Sequence, residues 1–173
     1  MTAVERLTDP VAAAEYFGPI TQVRGPALLF YGRPMSTTTT QHEVVGPVPV
    51  DDDRVCALLQ DTSVEDREEA ALEATTSGIY LALDGSGAPG AGCGWREWPN
   101  RIGHVAVISA RAHRREGYAF SAAHAALSAA AGSGLLPQWR AALGNSGSVA
   151  LATRLGLHLA GRQMSVELAT TNE

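Results

Sequence analysis

Residues 104–134 put three signals in direct succession: the β-branched run "HVAVIS", the charged corner "HRREGYAF" with a single glycine, and the alanine-rich "AFSAAHAALSAAAGSG", which ends at glycines as helices do. "PQWRAAL" follows as one more short strand. Strand, helix and strand in that order make a crossover unit, so this part of the chain requires a mixed α/β arrangement. The corner therefore joins the end of a strand to the first turn of a helix.

The other segments fit around that unit. A short helix is expected over Asp9 to Phe17, where "TDP" supplies a cap and a proline suited to the first turn, and "ALLFYG" reads as a buried strand. "PMSTTTTQ", residues 34–41, is polar and charge-free and fits a surface loop or edge segment. "VPVDDDRVCALLQ" opens a helix on its aspartates, and "SVEDREEAALEA" gives another whose charged face is expected to be solvated. "GIYLAL" and "GAGCGWREW" are strands joined by the Gly/Pro-rich turn "DGSGAPG", the pattern of antiparallel neighbours. "NSGSVALATRLGL" reads as a helix begun by Asn145 and stopped near Gly156, and "RQMSVEL" as the last strand, alternating with period two. An antiparallel meander thus precedes the crossover, and 173 residues suit one domain.

Charge removes one class of partner. The net charge is −5, every one of the 13 cations is arginine, and no basic stripe exists of the kind that displaces counterions from a phosphate backbone. No nucleic-acid partner is expected. Cys56 and Cys93 have neither Cys-x-x-Cys spacing nor a histidine cluster beside them, so they read as unpaired core thiols, and no metal is expected. The first residues, "MTAVERLTDPVAAAEYF", do not resemble a signal peptide, and no run of about 18 apolar residues is present for a membrane span. The expected location is cytoplasmic.

A helix N-terminus offers backbone N–H groups without intrahelical partners and about half a positive charge, which suits it to an anion such as phosphate. Gly117 lets the backbone approach a ligand closely, Ala119 is small, and Arg114 or Arg115 can add a charge-assisted contact. An ordinary turn with solvated arginines is the bland alternative. Neither the three glycines of a dinucleotide fingerprint nor the Gly-Lys-Ser/Thr of a P-loop is present.

Context sharpens this. Arg114-Arg115-Glu116-Gly117-Tyr118-Ala119 resembles the Arg/Gln-x-x-Gly-x-Gly/Ala signature of the GNAT acyltransferases, and it stands between a strand and a helix as it does in them. "NSGSVALATRLGL" resembles the family's second block, with Asn145, Ser148, Gly156 and Leu157 on the corresponding positions, and "GLLPQWRAALGN" resembles the strand that connects the two. The likeness runs from about residue 78 to residue 173.

The resemblance implies a GNAT-like, mostly antiparallel, splayed central sheet flanked by helices in a single domain over residues 1–173. Residues 78–173 would form the acyl-CoA-binding core and 1–77 the acceptor side. It implies that "GAGCGWREW" and "HVAVIS" part like a V, with acetyl-CoA as donor in the opening and its pyrophosphate on the N–H groups of residues 115–119. The residues it implies for that cofactor are Val107, Ile108, Arg114, Arg115, Glu116, Gly117, Tyr118, Ala119, Asn145 and Ser148. A pantetheine arm resembles a peptide, so an open strand edge can hydrogen-bond it.

Acyl transfer to an amine needs a base, a donor for the developing oxyanion and an acid for the leaving thiolate. For the base, the resemblance points to Glu97, with His104 as a second candidate; His113, His124 and His158 look peripheral. The oxyanion would take an N–H from the strand holding Val107 and Ile108. Many members place a tyrosine acid seven residues after the asparagine, where this chain has Ala152, which leaves Ser148 or water. The implied activity is N-acetyl transfer to a primary amine of a small molecule or peptide, and a non-catalytic acyl-CoA-binding module is the other class. The acidic balance favours encounter with a cationic acceptor, and a homodimer is compatible with the sequence.

Overall fold

The architecture follows from local signals that the chain supplies in order. It was determined as a computed structural model that describes residues 9–17, 19–35 and 40–169. Helix α1 (Pro10–Phe17) starts at the proline, and β1 (Ile20–Tyr31) extends well upstream of the "ALLFYG" segment. Strand β2 (Glu43–Val48) was not anticipated from the sequence. Its residues 46 and 47 are Gly-Pro, which blur a strand pattern and mark an irregular register against its neighbour. Positions 36–39 of the "PMSTTTTQ" stretch lie outside the described residues, as do residues 1–8.

Helix α2 (Asp53–Gln60) begins where the Asp52 carboxylate accepts the Arg54 N–H at 2.9 Å, and it buries Val55, Leu58 and Leu59. Cys56 turns outward from that face and is exposed, so only Cys93 is the buried thiol expected of both; burial pushes the Cys93 pKa up. Helix α3 (Val64–Ala70) is capped by Ser63, whose hydroxyl accepts the Asp66 N–H at 3.1 Å. Strands β3 (Ile79–Leu83), β4 (Pro89–Trp98) and β5 (Ile102–Ser109) form the expected meander. Helix α4 (Tyr118–Gly132) returns the chain to β6 (Leu136–Ala142), and α5 (Ser146–Arg154) leads to β7 (His158–Leu168).

All seven strands join one sheet in the order β2-β3-β4-β5-β6-β1-β7, antiparallel except for β5 beside β6. Strand β1 is thus inserted between β6 and β7. Two cores cover the two faces. On one, α4 and α5 pack Phe120, Leu127 and Leu155 against Phe30, Cys93, Val105 and Trp139. On the other, Leu58 of α2 and Leu72 seal against Ile79, Leu81 and Ile108. Full burial of each such leucine contributes about 1.5–3 kcal/mol. Gly92 allows that second layer to sit close, since a Cβ there would lie 2.9 Å from Leu58 Cδ2.

The expected V is real, but it opens at another seam. Strands β4 and β5 stay paired from Trp98 with Ile102 to Ala91 with Ser109, so "GAGCGWREW" and "HVAVIS" do not part. A three-residue turn, Pro99–Arg101, joins them, and so short a closure favours pairing along the whole hairpin. The strands that diverge are β5 and β6, which pair only at Ile102 with Leu136, Gly103 with Pro137 and His104 with Gln138. Beyond that point β6 pairs with β1, and the flank of β5 at Val105–Ser109 is left open.

Candidate active site

The divergence of β5 from β6 opens a cleft of about 840 Å³, lined along one wall by His104 to Ser109 and along the other by Trp139, Arg140 and Ala142. Its floor is the last paired step, His104 beside Gln138. Val107 and Ile108 line it, where their strand has no paired neighbour on that side among the described residues.

The corner forms one mouth of the cleft. Gly117 is the N-cap of α4 with φ +94°, and no side chain caps the helix there, so the first-turn N–H groups keep their donors available. Arg115 is also left-handed, with φ +69°. Two left-handed residues so near a helix start turn successive N–H groups toward a common point, a concavity that suits an anion. Arg114, Arg115, Gly117 and Ala119 all line the cleft. The loop is held from behind: His42 donates from Nε2 to the Glu116 carbonyl at 2.8 Å and stacks on Tyr118 at 3.6 Å. The Glu116 carbonyl and the Tyr118 ring, of two residues expected to bind the donor, serve this support, and neither residue lines the cleft, so what they can offer an anion is the backbone N–H.

At the other end, His104 is largely buried and stacks on Trp98 at 4.3 Å between ring centres. Its Nδ1 donates to Gln138 Oε1 at 2.9 Å, and Gln138 Nε2 donates in turn to the Tyr31 hydroxyl. Gln138 is only 4% exposed, and its register partners are His104 on β5 and Tyr31 on β1. With Nδ1 carrying the proton, the lone pair sits on Nε2. Burial lowers the pKa of the imidazole, and the charges of Arg140 and Arg96 lower it further, while the Gln138 hydrogen bond raises it. The ring is a neutral acceptor at pH 7. Glu97, the other candidate base, is exposed on β4 opposite Gly103 and lies outside the cleft lining.

Helix α5 contributes from the β6 side. Asn145 caps it by accepting the Ser148 N–H at 2.9 Å, and Ser148 Oγ accepts the Trp139 indole N–H at 2.9 Å. With that lone pair engaged, the Ser148 proton is free to be donated elsewhere. Ala152, at the position where the resemblance implies tyrosine, is fully buried in the core.

No protein-family model and no curated protein sequence matches the chain. Solved structures do. A chain from Novosphingobium aromaticivorans placed in the GNAT family superposes with TM-score 0.63 at 18% identity, covering 85% of this chain and 65% of that one. A GCN5-related N-acetyltransferase from Sphaerobacter thermophilus gives 0.61 at 17% identity, with 90% and 54% covered. One from Kribbella flavida gives 0.59 at 20%, with 90% and 61% covered. The chain has the GNAT fold. It spans between 54% and 65% of the length of these three structures.

Within this GNAT fold, the acidic helix departs from its expected solvated role. Asp66 Oδ2 accepts from Arg114 Nη2 at 2.6 Å, and Glu69 Oε1 accepts from Asn145 Nδ2 at 2.9 Å, so α3 reaches the corner and the start of α5. Hydrogen bonds from Ser63 and then from Arg114 hold the Asp66 carboxyl below its usual range. An anion placed at the corner would compete with Asp66 for Arg114. Asp66→Asn is therefore expected to tighten acetyl-CoA binding about two- to fivefold, with a larger effect at low salt, because the pair is partly exposed. Isothermal titration at two ionic strengths checks this. Tyr31, Gln138, Asp66 and Glu69 were not singled out from the sequence as site residues. Only Gln138, a polar residue inside the apolar strand "PQWRAAL", carried a signal that could have found it.

Proposed function

We propose that the chain is an N-acetyltransferase that takes its acyl group from acetyl-CoA and passes it to a primary amine of a small molecule or peptide. The observation that carries this reading is the single cleft that has an uncapped, left-handed corner at one mouth and a neutral, hydrogen-bonded histidine at its floor. The corner fits a diphosphate by its donors and its lack of a capping side chain, and the open flank of β5 fits an amide-bearing arm. Bound acetyl-CoA supplies an acetyl thioester, whose C–S bond breaks as the C–N bond to the amine forms.

The residues around it have distinct tasks. The N–H groups of residues 115–119 hold the diphosphate, with Arg114 and Arg115 adding charge. His104 Nε2 takes the proton from the amine, an N–H of Val107 or Ile108 faces the developing negative charge, and Ser148 Oγ donates a hydrogen bond to the departing thiolate, which takes its proton from water. Residues 78–173 form the donor half in this reading and residues 1–77 contribute the acceptor side.

Gln138 and Tyr31 position His104 and do not touch substrate. Gln138→Met is expected to lower kcat about tenfold, the rate equivalent of one buried hydrogen bond. It removes the contact that raises the His104 pKa, so the acid limb of kcat/KM moves to lower pH. A pH profile of both enzymes reads the two effects together.

A non-catalytic acyl-CoA-binding module is the second reading, favoured by the buried Ala152 where an acid is implied and by the Asp66–Arg114 pair that occupies the corner arginine. Thiol release from acetyl-CoA across a panel of primary amines separates the two. Turnover with any amine supports the enzyme; tight donor binding without turnover on every amine supports the module.

A further inference from the structure

We infer that the acceptor is a primary amine that also carries an anionic group, and that Arg140, two residues from the floor of the cleft, holds the anion. This rests on the acetyl-transfer reading and concerns the half of the cleft away from the phosphate corner.

Side chains along β6 alternate, so when Trp139 enters the core, Gln138 and Arg140 share the opposite face, which is the face of His104. Arg140 stands two residues beyond the floor, opposite Leu29 of β1, and lines the cleft. Arg24 lines the open end instead: β1 runs antiparallel to β6 with Tyr31 opposite Gln138 and Ala27 opposite Ala142, so Arg24 lies beyond Ala142 and away from His104. Arg96, the β4 partner of His104, adds a second cation near the floor. Among the described residues, none of these three guanidiniums has an ion-pair or side-chain hydrogen-bond partner, whereas Arg54 and Arg114 do.

Three acids of α3, Asp66, Glu68 and Glu69, line the same cleft. Asp66 and Glu69 engage Arg114 and Asn145 toward the corner, and Glu68 is exposed on α3. The charges of Arg140 and Arg96 both act to lower the His104 pKa. A protein of net charge −5 therefore has a locally positive acceptor pocket. That field repels a cationic amine, which reverses the expectation drawn from net charge. A carboxylate or phosphate on the acceptor matches the guanidinium fork, and the same cations help an ammonium release its proton to His104 Nε2.

The test pairs each amino acid with its own primary amide, and O-phosphoethanolamine with ethanolamine, measuring thiol release from acetyl-CoA. The anionic member is expected to be preferred about tenfold or more in kcat/KM, the usual worth of a charge-assisted hydrogen bond; the two kinds of pair separate carboxylate from phosphate. Arg140→Gln is expected to collapse the preference through KM, and Arg140→Lys to retain part of it, with stabilisation by acetyl-CoA confirming that both variants fold. Equal or better use of the uncharged member, or a preference that survives Arg140→Gln, overturns the inference. Should no pair be turned over, N-acetyl amino acids and their amides are titrated onto the CoA-saturated protein while the His104 ring protons are followed by NMR. A carboxylate that raises the His104 midpoint where its amide does not supports the inference, and an equal response overturns it. If acetyl-CoA fails to stabilise the wild type, the acetyl-transfer reading falls as well; if it stabilises and the charge preference is absent, only this inference falls.

Discussion

His104→Ala is expected to lower kcat by about 10²- to 10⁴-fold, the range that a positioned general base contributes, while acetyl-CoA still stabilises the variant. The effect is large because the imidazole is fixed on three sides: Trp98 stacks on it, Gln138 accepts from Nδ1, and its strand is paired. The pH profile carries the same signature. Burial first, then Arg140 and Arg96, depress the His104 pKa below 6.5, so the neutral, proton-accepting form persists to lower pH and kcat/KM rises with pH only through an acid limb below that value. Stability follows the same sign. The unfolded chain binds a proton at this histidine more readily than the native protein does, so the contribution of His104 is fully present above pH 6.5. It is lost as pH falls toward the folded pKa. A profile whose acid limb is unchanged in His104→Gln removes His104 from the role. Glu97→Gln, by contrast, is expected to leave the rate within about twofold, as exposed substitutions away from a site do.

Gly117→Val is expected to weaken acetyl-CoA binding by about ten- to a hundredfold. A β-branched residue at φ +94° costs about 1–3 kcal/mol of backbone strain, and its Cβ would stand 3.2 Å from Gln41 Oε1 and 3.5 Å from His42 Nε2. The loop escapes by rotating, which turns the N–H groups of the corner away from a shared anion. His42 would lose its hold on the Glu116 carbonyl in the same movement. Calorimetric titration with acetyl-CoA and with free CoA reads the loss. If the variant binds both as tightly as the wild type, the corner is not the phosphate seat.

What could be read from the sequence was local. The corner at residues 113–120, the cap at Asn145 and the hairpin turn at residues 84–90 each announce themselves within a few residues, because caps and turns depend on backbone groups close in sequence. What could not be read was pairing at a distance. Nothing near Ile20–Tyr31 says that this strand slots between β6 and β7, and nothing near His104 says that Gln138 and then Tyr31 stand behind it. The seam of the V was misplaced for the same reason: two adjacent strand signals were taken to diverge, although a short turn held them together and the diverging pair was separated by a helix. Acids on α3 looked solvated because their partners, Arg114 and Asn145, lie 48 and 76 residues downstream.

The position of β1 bears on synthesis as well as on shape. Tyr31 meets Gln138 across 107 residues, so the ribosome must produce most of the chain before the earliest strand finds either neighbour. Until then its apolar stretch, Ala27 to Tyr31, waits uncovered, and a nascent chain halted before residue 136 holds a half-built pocket with no backstop for its histidine. Newly made copies are therefore expected to depend on chaperones until β6 has left the ribosome.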